Sequence, residues 1–551
     1  MSRLRRLAPL FLTVALFWII GYPLLLTLAE ALGAPQWTMA HVAEFAGRPA
    51  EWQALWASLW IALATVILSA AIGIPLAFIF ERSEFPGRRL LGVLVALPVA
   101  LPPLIGVLAF LFLYGESGLA SRQIQALFHL REPPWRLTGP FAILLVHAYS
   151  MYVYFYLFTR AGIARLDGAY GEAAASLGAS RSRTLFRVTL PLLTPALIGA
   201  ALLTFMTSLA SFSAPYVFGG SFRVMTTQIV ASKLNGDTSL AMVETVTLAA
   251  MGLLGLFLLR LVERGRDVVG TVRGVAPGRR RLSRAKWLAA AAGWAVAILL
   301  LLPHATLVLI SLVPRNTWTT EAFPPVLRTS NYATLFSQPE RMRPVVNSLW
   351  MATAATAGAL VLGFAAAYLA VRKRGRFGGV LETLIALPWA LPGTVFAVAL
   401  AAAFSVNAPW AGRFVLVGTM AILPLGYLVR SLPLTGRAAF AGLRQMDPAW
   451  TEAAASLGAT PGRRFLKIVL PHVRPALAAG ASLAFLAALG DFVVSIVLYT
   501  YDTRPIAIEI LSELRMQEVG VAAAYGVLLT VLSTLAFLIW GRGTDARQAP
   551  G

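Results

Sequence analysis

Two stretches of this chain carry the same side-chain pattern: a carboxylate, a run of small residues and a glycine at fixed spacing. They are Glu172-Ala173-Ala174-Ala175-Ser176-Leu177-Gly178-Ala179 and Glu452-Ala453-Ala454-Ala455-Ser456-Leu457-Gly458-Ala459. A face of small side chains lets another protein surface approach closely, so the chemistry these residues point to is docking. The local signals spell helix, tight turn, helix. Asp447 caps a helix with Pro448 at its first position, and Gly458 suits the left-handed turn that ends it. Thr460 then caps a second helix that starts with Pro461 and ends at Leu470-Pro471. The first copy offers Asp167, Gly178, Ser180 and Leu190-Pro191 at the equivalent places. Arg181, Arg183 and Arg187, like Arg463, Arg464 and Lys467, keep the second helix at a membrane surface. A single such segment would read as a plain connector. Two copies at one topological place argue for a mechanical role.

Elsewhere the chemistry is sparse. Asp491, beside Gly490, is the sharpest ionisable residue inside an apolar span. An intramembrane carboxylate is costly and marks a path or relay, unless it pairs with backbone at a helix break or faces a hydrated cavity. Asp491, Ser211 and Ser213 are the candidate substrate-path residues, and Glu244 is a lesser one. The five histidines are scattered; His147 and His304 fall in or beside spans, where a packed polar residue is the commoner role. No Gly-x-x-x-x-Gly-Lys-Ser/Thr phosphate loop occurs, so any ATP must be bound by a separate chain. No His-x-x-x-His pair, Gly-x-Ser-x-Gly elbow or paired-carboxylate motif marks an enzyme. No catalytic residue and no metal ligand is assigned, and the absence of cysteine removes disulfide and thiolate chemistry.

The elements that position these residues are set by hydropathy. Of the 551 residues 58% are hydrophobic and 13% charged, against about 25% charged in a soluble domain. Such a chain cannot cover a globular surface and is expected in lipid. A bilayer span needs about 20 apolar residues. Spans are expected at 8–32, 54–80, 89–114, 140–160, 192–214 and 239–262, then at 287–312, 346–371, 380–404, 412–433, 473–500 and 519–541. The net charge of +22 comes in short bursts between spans, which is how a membrane protein distributes it and argues against nucleic acid. Most of the basic residues fall on the side of Arg3, Arg5 and Arg6, placing both termini and both Glu-Ala-Ala loops in the cytoplasm. The small-residue pattern Ala29-Glu30-Ala31 resembles a signal-peptidase site, but the preceding apolar core is too long, and a retained first span is expected.

The chain also repeats itself. Ala57-Ser58-Leu59-Trp60 recurs as Asn347-Ser348-Leu349-Trp350, and Ala96-Leu97-Pro98-Val99-Ala100-Leu101-Pro102 as Ala386-Leu387-Pro388-Trp389-Ala390-Leu391-Pro392, both at an offset of 290. The offset falls to 280 at the Glu-Ala-Ala segments. Two six-helix halves, 1–262 and 287–551, are therefore expected as parallel repeats about an axis along the membrane normal. A basic cytoplasmic linker at 263–286, containing Arg279-Arg280-Arg281, joins them.

In both copies the pattern reads Glu-Ala-Ala, three residues, Gly, nine residues, a branched apolar residue, one residue, Leu-Pro; that is, Glu172 through Gly178 and Val188 to Leu190-Pro191, and Glu452 through Gly458 and Ile468 to Leu470-Pro471. It resembles the signature of binding-protein-dependent ABC importer permeases, and the likeness covers nearly the whole chain. The resemblance implies an all-α membrane protein of the type I importer permease fold, with about twelve spans, in a bacterial inner membrane. It also implies that each loop, through Glu172, Ala173, Ala174, Gly178 and Pro191 and through Glu452, Ala453, Ala454, Gly458 and Pro471, docks in a cleft of a cytoplasmic ATPase. Two ATPase copies would carry ATP and Mg, and a periplasmic or lipid-anchored binding protein would deliver the solute. The fused form is similar to ferric-iron permeases, with thiamine permeases as relatives. The residues that carry that likeness are Ser211-Phe212-Ser213-Ala214-Pro215 with Gly219-Gly220, and Leu489-Gly490-Asp491-Phe492 with Leu498-Tyr499-Thr500 and Arg504-Pro505-Ile506. Thiamine, phosphonate, polyamine and other small solutes stay open as cargo. Two rival classes stand beside this reading. One is an ATP-independent major-facilitator-type transporter, whose basic loop Glu81 to Arg89 faintly resembles. The other is an integral-membrane enzyme, which would need a His, Asp or Glu cluster near one membrane face.

Overall fold

A backbone surrounded by lipid can satisfy its N–H and C=O groups only within itself, and in this protein it does so as helix. The structure is a computed structural model describing residues 2–96, 98, 102–264, 280–281, 285–318, 321–372 and 376–545. The first repeat contains α1 (Pro9–Ala31), α2 (Pro49–Arg82), α3 (Arg88–Ala96), α4 (Pro103–Tyr114) and α5 (Gly139–Arg165). It continues through α6 (Ala169–Ser176), α7 (Leu190–Leu209), α8 (Ser213–Phe218), α9 (Met225–Leu234) and α10 (Thr238–Arg264). The second contains α11 (Ala285–Ser311), α12 (Pro339–Arg372), α13 (Arg376–Ala390), α14 (Gly393–Ala403) and α15 (Ile422–Arg444). After these come α16 (Pro448–Ser456), α17 (Leu470–Leu489), α18 (Val493–Leu498), α19 (Ile506–Arg515) and α20 (Val519–Asp545). Among the described residues the only strand pairing is a two-residue parallel contact of β1 (Ser83–Glu84) with β2 (Arg280–Arg281). Most of the linker expected at 263–286 lies outside the described residues, as do Leu97 and Val99 to Leu101 of the first repeated Leu-Pro motif.

The duplication is carried into geometry. α2 and α12 both run for 34 residues, α7 and α17 for 20, and α10 and α20 for 27. The repeated serine is explained by what it holds. Ser58 Oγ accepts the Met225 N–H at 2.7 Å, and Ser348 Oγ accepts the Ile506 N–H at 2.8 Å. Each hydroxyl thus satisfies an orphan donor at the start of the short helix, α9 or α19, that follows the fifth or eleventh span.

Ten described helices are long and apolar enough to cross a bilayer, or eleven if the bent pair α13–α14 counts as one. The fifth and eleventh expected spans, set to reach 214 and 500, stop at Leu209 and Leu489, and the ninth and tenth take another shape. The ninth, expected over 380–404, bends by 110° between α13 and α14. Pro392 holds φ −55° and ψ 146° there, an extended conformation that cannot continue a helix. The tenth, expected over 412–433, begins instead at Ile422, because 412–421 is spent in turns with Gly412 at φ 66° and Gly418 at φ 85°. The helix then continues through Arg430, Arg437 and Arg444.

Packing follows a different line from duplication. One compact unit, here the late unit, comprises Met1–Gly47, Ile229–Thr247 and Arg328–Gly551. The other, the early unit, comprises Arg48–Gln228 and Leu248–Leu327. Within the late unit α1 lies against α13 and α14, where Trp18 meets Phe404 edge-on with ring centroids 5.2 Å apart. Within the early unit α11 lies against α3 and α4, and Tyr149 of α5 donates to the Leu300 carbonyl at 2.7 Å. The leading span of each repeat is therefore built into the unit formed mainly by the other repeat.

Candidate functional site

Both Glu-Ala-Ala segments fold as the cap chemistry dictates. Asp167 Oδ1 accepts the Ala169 N–H at 3.0 Å, and Asp447 Oδ1 accepts the Ala449 N–H at 2.9 Å. α6 and α16 then end in the same hydrogen-bonded turn. The Ala179 N–H reaches the Ala174 carbonyl and the Ala459 N–H the Ala454 carbonyl, each at 2.9 Å. Gly178 and Gly458 sit at φ 74° and 79°, the left-handed conformation this closure requires. A Cβ at either glycine would meet nothing within 4 Å, so the constraint is backbone conformation rather than space. Ser180 and Thr460 cap the next turn through the Arg183 and Arg463 N–H groups, each at 3.3 Å.

The Leu-Pro pair of the pattern has a structural reason as well. Pro191 and Pro471 have no N–H, and a proline ring crowds the carbonyl four residues back. The chain widens ahead of them into π-helical turns, Leu185–Thr189 and Phe465–Val469, closed by the Leu190 and Leu470 N–H groups donating five residues back. Nothing in α6 or α16 is buried. Leu177 and Leu457, at the turn, are 87% and 88% exposed, and Glu172, Ala173, Glu452 and Ala453 are exposed while Ala174 and Ala454 are half-buried. Each loop thus displays an apolar side chain at its turn, on a capped support.

The mid-span candidates fall into two different clusters. In the early unit the buried His147 imidazole gathers three hydroxyls. Its Nε2 lies 2.8 Å from Ser211 Oγ, and its Nδ1 lies 3.1 Å from both Thr65 Oγ1 and Ser208 Oγ. Ser213 is buried at the start of α8, outside this cluster. In the late unit Asp491 stands at the break between α17 and α18 with both carboxylate oxygens engaged. Oδ2 accepts from Arg430 at 2.9 Å, while Oδ1 accepts the Val494 N–H at 2.8 Å and caps α18. Tyr427 donates to Ser495 Oγ, which donates to the Asp491 carbonyl, both at 2.6 Å. Glu244 receives the Ser232 hydroxyl at 2.7 Å.

With this geometry in place, the chain was compared with known proteins. Residues 72–268 and 359–542 match the family described as binding-protein-dependent transport system inner membrane component. The chain belongs to that family. Over 98% of its length it is 30% identical to a protein of Sinorhizobium fredii named "Probable ABC transporter permease protein y4fN", covering 97% of that protein. It is 28% identical to the ferric transport system permease protein FbpB of Actinobacillus pleuropneumoniae, over 88% of this chain and 70% of that one. A thiamine transport system permease protein, ThiP of Brucella abortus, is 31% identical over 39% of this chain and 40% of its own length.

In this permease, hydropathy-based reading missed the basic half of the Asp491 cluster. With the tenth span expected at 412–433, Arg430 lay close to the span's inner end, and Arg437 and Arg444 lay in a loop. α15 instead carries all three, each with a partner. Arg430 pairs with Asp491, Arg437 lies 4.5 Å from the centre of the Trp389 ring, and Arg444 reaches Glu382 at 2.8 Å. A lipid-facing arginine at the bilayer centre costs about 2.5–3.5 kcal/mol on insertion scales, which is why such groups take partners. Their sequence signal was the heptad spacing 430, 437, 444, which puts all three on one helix face.

Proposed function

We propose that this permease forms the solute path of an ATP-driven importer, with α6 and α16 each docking on one of two cytoplasmic ATPase subunits. The observation that carries the reading is the pair of capped helix–turn–helix loops, with no buried residue in α6 or α16, alike in backbone closure and each displaying a leucine at its turn. The partner subunits hold ATP and Mg, and their closure pulls on both loops. A binding protein outside the cell delivers the solute, and both chain termini lie in the cytoplasm of a bacterium. Glu172 and Glu452 present carboxylates to the ATPase, and the rigid Gly178 and Gly458 turns transmit the stroke into α7 and α17 through the Leu-Pro turns.

Ferric iron is the proposed cargo. Its support is the breadth of the likeness, since the ferric permease match runs through most of the chain whereas the thiamine permease match covers a minority of it. Thiamine is the second reading. The test is uptake into proteoliposomes holding the permease, its ATPase and its binding protein, with labelled ferric iron and labelled thiamine offered separately. ATP-dependent iron uptake that disappears in the Glu172→Ala/Glu452→Ala double variant is the expected result. Uptake that persists without ATP would make the protein a secondary transporter. Full transport in the double variant would remove the docking role of the two glutamates, and thiamine uptake in place of iron would reassign the cargo.

A further inference from the structure

The three arginines of α15 are not required by the fold. At a repeat offset of 280 their counterparts on α5 are Ser150, Leu157 and Ala164. Their partners are absent from the first repeat too. Ser211 stands where the second repeat has Asp491, Val99 where it has Trp389, Gly92 where it has Glu382, and Pro103 where it has Gly393. Gly393 matters because the Arg430 guanidinium occupies the space its side chain would fill: a Cβ there would overlap Nη1. The bend between α13 and α14 is thus shaped to admit this arginine. A whole constellation has been built into one repeat only.

The three side chains rise along one face of α15, heptad by heptad, over about 21 Å at 1.5 Å per residue. They run from the helix break at Asp491 towards the docking loop that begins at Asp447. The face is open. Arg430 is one-third exposed, at 34%, and Arg437, Ala441 and Arg444 are exposed. Each arginine keeps hydrogen-bonding capacity after pairing. Arg430 donates to Asp491 through Nη1, leaving the other edge of its guanidinium free, and a guanidinium stacked on an indole retains its in-plane N–H groups. Against the carboxylates of Asp491 and Glu382, three guanidinium groups leave the row one positive charge in excess.

We infer that this face of α15 is an anion ladder, and that the permease carries its solute through the inner half of the membrane as an oxyanion-bearing species. This rests on the importer reading and narrows its cargo. The solute is either a small oxyanion or a metal ion clad in enough carboxylate or phosphate ligands to be net negative. A bare ferric ion is repelled by the same row. Ferric iron therefore crosses as an anionic complex.

The chain has no cysteine, so a single Cys placed at Ala441 reports the face while leaving all three arginines in place. The intact complex in membranes is treated with a negatively and a positively charged thiosulfonate reagent of equal size. A surface of one charge sign concentrates its counter-ion by about tenfold or more, so Ala441→Cys reacts about tenfold faster with the anionic reagent. The preference falls towards unity when Arg437→Gln is added. Equal rates, a cationic preference, or no reaction with either reagent would overturn the ladder. In proteoliposomes supplied with ferric citrate, Arg437→Gln lowers iron uptake about tenfold at unchanged permease yield. Wild-type vesicles that take up no iron would sink the iron reading alone. Charge-blind labelling at position 441 sinks the ladder alone.

Discussion

The two repeats agree at their Glu-Ala-Ala loops and at the anchors of their short helices, and disagree at mid-span. The Glu-Ala-Ala loops, the π-turns behind them and the serine anchors at Ser58 and Ser348 are matched almost atom for atom. At mid-span, the early unit holds neutral hydrogen bonds around His147, whereas the late unit holds the Arg430–Asp491 ion pair at the same repeat position. A docking loop has to fit two like partners, so its geometry stays fixed in both copies. A solute is a single object, so on the proposed reading the groups that meet it have no reason to be duplicated.

The largest expected difference is in what a single lost partner costs. Asp491→Ala removes the partner of a one-third exposed guanidinium and the cap of α18, and should destabilise the late unit by about 2–3 kcal/mol. Ser211→Ala removes one neutral hydrogen bond, worth about 1 kcal/mol. Thermal unfolding in detergent measures both; equal costs would erase the contrast. Asp491→Asn sharpens it, because the amide oxygen can still cap α18. Uptake should then fall more than folded yield, and unchanged uptake would leave Asp491 a purely structural residue.

The loops should behave alike. Gly178→Ala and Gly458→Ala each force a side chain into the left-handed region at about 1–2 kcal/mol, with the same loss of ATPase stimulation from either. A large inequality would mean that one loop does most of the coupling. Smaller still, Ser58→Ala and Ser348→Ala each give up a hydrogen bond of about 1 kcal/mol. Hydrogen exchange should quicken at Met225 in one variant and at Ile506 in the other, with little change elsewhere.

The smallest effect separates α9 from α19. Burial pushes the Lys233 ammonium down to about 8 from 10.5, with Glu30 acting in the opposite direction; counted from the first residue of each helix, the matching residue on α19 is Leu514. The unfolded chain then binds more protons than the folded one between those two values, so stability rises with pH through that window. Lys233→Met should flatten the rise in a melting series. A rise that survives the substitution would place the titration on another group.

Cap chemistry made the loops legible. Asp447, Thr460, Asp167 and Ser180 each bond the N–H groups their positions foretold, because capping acts over two or three residues and needs no knowledge of the rest of the chain. Hydropathy placed most spans for a similar reason, since each reports its own transfer into lipid. It misplaced the tenth, where Gly412 and Gly418 spend ten residues in turns and the arginines of α15 lower the apparent hydropathy of a helix whose charges are paired.

The sequence by itself determined that the chain is duplicated, helical, membrane-spanning and equipped with two capped Glu-Ala-Ala loops, because repeats, hydropathy and caps are local or self-comparing signals. Only the tertiary structure decided that α1 packs with the second repeat and α11 with the first, and that Arg430 finds Asp491 across 61 residues. An apolar helix carries no address for its neighbour, and an ion pair between distant residues exists only once the helices that bear them have met.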